Sequence, residues 1–211
     1  MKKELPKTLL LHENPKALAQ NIKTHFPNLP LTLIDSYSEV PQSLKKEKPE
    51  VLFAFKTGEE DQFPRSAVLN CESVQWIQAS GAGVDHWTPW DPTIVTVTNA
   101  SGIHAEIMAQ YTTWAILNQK LGFPRMAERQ SQKKWDKKLL ESVVGETLVI
   151  VGYGRIGKEV GRLAKTIGLK VIGVRKRPSP CPYADEVISN CKLQNALGQA
   201  DFILNVLPLT E

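Results

Sequence analysis

Residues 147–157 read Thr-Leu-Val-Ile-Val-Gly-Tyr-Gly-Arg-Ile-Gly, an apolar β-prone run that empties directly into Gly152, Gly154 and Gly157. A Gly-x-Gly-x-x-Gly spacing also recurs by chance and in ordinary turns, so its meaning rests on what flanks it. Downstream, Ile156, Val160, Leu163, Ala164 and Ile167 recur at helical spacing, while Lys158, Glu159, Arg162 and Lys165 cover the remaining face. Gly168 then supplies a stop that tolerates left-handed backbone, and residues 170–174 resume as a buried strand. Strand, glycine turn, helix and strand together predict a dinucleotide-binding unit. Gly152 allows the tight turn, Gly154 lets backbone approach a pyrophosphate, and Gly157 lets helix and strand pack closely. The free amides at the helix start would hold the anion. The plainer alternative is a glycine-rich turn with no ligand.

The second strand ends Val174-Arg175-Lys176-Arg177. An NAD site carries Asp or Glu near this point, roughly 20 residues beyond the glycines, to bind the ribose hydroxyls. Here Arg175 holds the slot. Three consecutive cations repel one another unless they are solvated or face a polyanion, and a 2′-phosphate offers that charge in a geometry suited to Arg. NADP is therefore expected over NAD, with NAD still possible; a solvated basic turn before Pro178 is the alternative.

A chain of 211 residues can bury one large core or two small ones. With 42% hydrophobic and 23% charged residues it reads as an ordinary globular protein. No run approaches the roughly 18 apolar residues of a membrane span, and the N-terminus lacks a signal-peptide pattern, so a cytoplasmic protein is expected. Cys71, Cys181 and Cys191 are odd in number and show no metal-type pairing, which argues against a disulfide framework or a zinc site. The net charge of +4 is modest and its lysines are dispersed, so nucleic acid is not an expected partner.

Taken in order, the chain opens with an apolar run at 7–12 and a helical pattern at 15–26 whose apolar side is Leu18, Ile22 and Phe26. Short strands are expected at 31–34 and 51–55, separated by a polar helix or turn at 43–48. Such alternation predicts a parallel sheet and a separate small α/β domain. A further strand at 74–79 runs into Ser80-Gly81-Ala82-Gly83-Val84-Asp85, a second glycine turn whose amides suit a small carboxylate, or a plain tight turn. After a β-like run at 94–97, a long helix is expected over 103–121 with Ile103, Ile107, Tyr111 and Trp114 on its buried side and Ser101 as its cap. Pro124 separates it from another helix at 125–134. The domain change falls near residue 100, giving a substrate domain over 1–100 and a cofactor domain over 101–211. Strands are expected again at 184–189 and 201–207 around a helical turn at 193–199, making about four from Thr147 onward where a full dinucleotide fold has six. His104 beside Glu106 reads as a polar helix start, and no nucleophile, metal or paired-carboxylate set stands out.

Ser80 to Asp85, Thr98-Asn99-Ala100-Ser101-Gly102, the 151–157 glycine turn and Asn205-Val206-Leu207-Pro208-Leu209-Thr210 occur in an order that resembles the D-isomer-specific 2-hydroxyacid dehydrogenases. Arg175 in place of an acidic residue makes the glyoxylate/hydroxypyruvate reductase side of that family the nearest likeness. The resemblance implies a flavodoxin-like substrate domain followed by an incomplete Rossmann domain, and hydride transfer between NADP and a small 2-keto or 2-hydroxy acid. It assigns the substrate carboxylate to the amides of Ala82 and Gly83. The pyrophosphate goes to Gly152, Gly154, Arg155, Ile156 and Gly157, the 2′-phosphate to Arg175 and Arg177, and the cofactor's other side to Leu207, Pro208 and Thr210. The family's polarising Arg, its acidic partner and its acid/base His lie beyond the segment matching 207–210, and Gln110 stands where relatives carry Glu. The expectation is the front portion of an enzyme that is a homodimer when full length, with no catalytic residue inside these 211 positions. A non-catalytic dinucleotide-binding regulatory protein, or an inactive fragment of such an enzyme, is the competing reading.

Overall fold

In the computed structural model, residues 4–55, 63–135, 137 and 139–207 are described. The chain divides into two compact units, Met1–Ser101 and Gly102–Glu211.

The first unit is built on parallel strands β1 (Thr8–Leu11), β2 (Leu31–Ile34), β3 (Val51–Ala54), β4 (Trp76–Ala79) and β5 (Thr96–Thr98). Their order across the sheet is β2-β1-β3-β4-β5, the flavodoxin-like order that the family resemblance implied, while the alternating pattern predicted only a parallel sheet. Leu9, Leu10 and Leu11 are buried on both faces, as a central strand of a covered parallel sheet requires. Each such leucine contributes about 1.5–3 kcal/mol by leaving water. Helices α1 (Pro15–His25), α2 (Val40–Glu47) and the short α3 (Arg65–Leu69) connect the strands. α1 is capped by the Asn14 side chain and started by Pro15. Its only buried residue is Ala19, and Phe26, expected on the inward side, is exposed just past the helix end.

The second unit has β6 (Thr147–Val151), β7 (Lys170–Val174), β8 (Glu186–Ile188) and β9 (Phe202–Asn205), all parallel in the order β8-β7-β6-β9. Counted within the unit this is 3-2-1-4, the first four positions of a Rossmann sheet. Helix α4 (Ala105–Lys120) packs on α6 (Arg155–Thr166), with α5 (Phe123–Ser131) between them in sequence and α7 (Leu193–Leu197) before β9. Gly168 closes α6 with φ of 88°, a left-handed conformation that costs glycine nothing.

Two expectations about α4 fail. Its N-cap position is His104, not Ser101, because residues 101–104 form a turn before the helix begins. Its buried residues are Ala109, Thr112 and Ile116, whereas Ile103, Ile107, Tyr111 and Trp114 are about 60% exposed. Residues 109 and 111 lie about 200° apart at 3.6 residues per turn, so the chosen stripe faces away from the core. Small side chains face inward because α4 lies close on α6: Ala109 and Ile116 share a cluster with Val160 and Ala164.

Candidate functional site

β6 ends at Val151, where the chain turns so that Gly152 and Tyr153 both donate their amides to the Val174 carbonyl, at 3.0 and 2.9 Å. Gly152 has φ of 99°, and a Cβ there would meet the Val206 carbonyl carbon and oxygen at 2.9 Å. Glycine is thus demanded twice, by backbone conformation and by the close approach of the chain leaving β9. Gly157, in the first turn of α6, is demanded by packing: a Cβ would lie 2.9 Å from the Gly152 carbonyl oxygen and 3.0 Å from Ile150. Gly154 differs. A Cβ at Gly154 would meet nothing closer than 4.0 Å, so no neighbouring protein atom explains a glycine there. Space kept open at the start of a helix, where the first-turn amides have no intrahelical acceptor, fits a pyrophosphate. The Ile156 side chain, in the first turn of α6, packs on the core cluster of the second unit.

Gly152, Tyr153, Gly154, Arg175, Lys176, Arg177, Asn190, Val206 and Leu207 line one open groove of about 540 Å³. It lies at the carboxyl ends of β6, β7 and β9, where the strand order reverses, the place where open α/β sheets take ligands. Arg175 is half-buried and Lys176 and Arg177 are exposed along one wall. Asn190, just after β8, joins that wall and carried no motif to reveal it. Pro208 and Thr210 lie outside the described residues.

Tyr153, between the first two glycines, was also not anticipated as structural. Its ring is 1% exposed and lies under glycines of two elements. A Cβ on Gly173 of β7 would sit 2.4–2.7 Å from ring atoms, and one on Gly161 of α6 would sit 2.8 Å from the hydroxyl. Burial pushes the Tyr153 phenol well above its ordinary range, reinforced by its hydrogen bond to the Cys181 Sγ at 3.7 Å. The retrospective signal was glycine inside a strand and inside a helix, positions where it otherwise destabilises.

In the first unit, residues 80–85 leave the end of β4. The Ala100 amide donates to the Gly81 carbonyl at 2.9 Å, and the Asn99 Nδ2 donates to the Ala82 carbonyl at 2.8 Å. Among the described residues no hydrogen bond takes up the amides of Ala82 and Gly83. Asp85 shares the turn, and a Cβ on Gly83 would lie 2.8 Å from its Oδ1.

Residues 113–211 match the D-isomer specific 2-hydroxyacid dehydrogenase NAD-binding domain. It is thus the second unit that is similar to this family's NAD-binding domain. A crystal structure of a family protein from Aeromonas salmonicida is 27% identical with a TM-score of 0.82, over 97% of this chain and 64% of that one. The hydroxypyruvate reductase of Thermotoga maritima is 29% identical over 56% of this chain and 38% of its own length. An erythronate-4-phosphate dehydrogenase from Psychrobacter arcticus is 26% identical over 94% of this chain and 46% of its own. The match therefore spans less than half the length of these two curated relatives. An NADPH-dependent glyoxylate/hydroxypyruvate reductase from Sinorhizobium meliloti, solved with NADP and sulfate, shares the fold at a TM-score of 0.74 and 17% identity. No helix among the described residues is long and apolar enough to cross a membrane.

Proposed function

We propose that this chain serves an NADP-dependent oxidoreductase that interconverts D-2-hydroxy acids and 2-keto acids such as glyoxylate or hydroxypyruvate. The carrying observation is the single groove that joins the glycine turn to Arg175, Lys176 and Arg177. Gly152 and Gly154 let backbone close on a pyrophosphate, with the amides of Arg155, Ile156 and Gly157 at the helix start. Arg175 and Arg177 reach a 2′-phosphate, while Leu207 covers the opposite side. When bound, the nicotinamide cofactor supplies the hydride equivalent. The chain's own part is to orient it and, through the Ala82 and Gly83 amides of the substrate domain, to hold the acid's carboxylate. The family likeness supports the reaction class; the basic wall supports the phosphate-bearing cofactor.

The test is titration of the purified 211-residue chain with NADPH and NADH, followed by calorimetry or nicotinamide fluorescence. A charge-assisted contact is worth roughly 1.5–3 kcal/mol, so NADPH should bind about tenfold to a hundredfold more tightly. Equal affinities would remove the NADP assignment, and binding of neither would remove the dinucleotide site. The working protein on this reading is a homodimer, supported by the apolar face of α4 that its own unit leaves uncovered.

A further inference from the structure

The carboxylate loop of the first unit is tied by its carbonyls, and this determines where its amides point. In a planar trans peptide the C=O and the following N–H are antiparallel. The Gly81 carbonyl is drawn to the Ala100 amide, so the Ala82 N–H is aimed the opposite way. The Ala82 carbonyl is drawn to Asn99 Nδ2 at 2.8 Å, so the Gly83 N–H is aimed away in turn. A carbonyl can only accept, which fixes the facing atom of Asn99 as its amino group. The other end of the side chain is also held: Asn99 Oδ1 accepts the Ser101 amide at 3.2 Å. Glycine at 83 leaves φ on one side of the 82–83 peptide unrestricted, so this peptide can rotate more readily without the tether.

We infer that Asn99 is a positioning residue for substrate: its side-chain amide orients the Gly83 N–H toward the carboxylate, while the Ala100 backbone independently orients the Ala82 N–H. The inference rests on the proposed carboxylate role of these two amides. Because the two tethers are separate, loss of Asn99 should disable one donor and spare the other. A residue needed only for folding would not produce that split.

The experiment is a ¹H–¹⁵N NMR titration of the full 211-residue chain with oxamate, a carboxylate that this chemistry does not reduce. In the wild type, the Ala82 and Gly83 amides should shift together and saturate. In Asn99→Ala, affinity should fall about tenfold or more, the Gly83 shift should vanish and the Ala82 shift should persist, with the rest of the spectrum unchanged. Asn99→Asp keeps an acceptor for Ser101 but cannot donate to Ala82, and it carries the comparison if the alanine variant loses its native spectrum. Run at about 1 M salt, where the Debye length is about 3 Å, it should show the same selective loss at Gly83. If neither amide shifts in the wild type, the carboxylate site itself is wrong and the inference goes with it. If the wild type binds and the variants bind equally well, or lose both amides equally, the role of Asn99 is overturned and the carboxylate site stands.

Discussion

Arg175 and Tyr153 carry most of what single residues decide in the second unit. Arg175 begins where β7 stops, with its amide bonded to the Ile188 carbonyl at 3.0 Å, so its Cα is fixed by the sheet while its side chain lines the groove. Arg175→Asp replaces an attraction for a 2′-phosphate by a repulsion and offers a carboxylate to ribose hydroxyls. The NADPH-to-NADH affinity ratio should fall by about tenfold to a hundredfold, more if Lys176 and Arg177 are also neutralised. An unchanged ratio would make the triplet a solvated turn. Tyr153 gives a pH prediction. Its phenol is raised above the ordinary value of 10.0, chiefly by burial and then by the Cys181 hydrogen bond. Above about pH 10 the unfolded chain therefore releases this proton while the folded chain keeps it. The stability Tyr153 contributes is whole below pH 10 and is lost above it, at up to about 1.4 kcal/mol per pH unit. Tyr153→Phe should flatten that alkaline decline relative to wild type in denaturant titrations at pH 9–11, and parallel curves would contradict it.

At the scale of elements, α4 shows what periodicity can and cannot tell. Its apolar spacing identified a helix near the right bounds, yet the same helix offers two stripes, and the bulkier one lies outside. Packing on α6 selected Ala109, Thr112 and Ile116 because a close helix pair has room only for small or slender side chains, information held by the partner helix and not by α4. The glycine turn was legible because its spacing answers to local backbone geometry and one adjacent helix. Asn99, Asn190 and Tyr153 were not, since each acquires its role from residues distant in sequence: Asn99 from Ala82, Asn190 from the end of β7, Tyr153 from Gly161 and Gly173. The outward stripe carries its own prediction. Ile107, Tyr111 and Trp114 are each about 60% exposed, and the tilted rings of Tyr111 and Trp114 lie side by side with centroids 5.8 Å apart, so a partner can bury them at little cost to the monomer. Trp114→Glu should convert a self-associating chain to monomer in light scattering while leaving its unfolding midpoint nearly unchanged. A wild type that is already monomeric would remove α4 as the dimer face.

Across the whole molecule, the hydrophobic core is in two parts that follow the division into units. One cluster joins Leu9, Leu52, Ile77, Trp87 and Val95 around the first sheet. Two others, around Leu148, Ile150 and Val160 and around Val149, Val174 and Ile188, cover the two faces of the second sheet. Each unit thus has its own core, the condition for independent cooperative unfolding of segments this size. Scanning calorimetry should resolve two transitions, and the dinucleotide should act on one. A ligand at 100 times its dissociation constant stabilises its own unit by about 2.7 kcal/mol, which for about 100 residues raises the midpoint by on the order of ten degrees. NADPH should move the transition of the second unit and leave that of the first in place. Arg175→Asp supplies the control, because it leaves both cores intact and should remove most of the NADPH-induced shift without altering either midpoint in the absence of ligand. Two transitions that move together would mean that the units unfold as one; an NADPH effect confined to the first would place the dinucleotide away from the glycine turn.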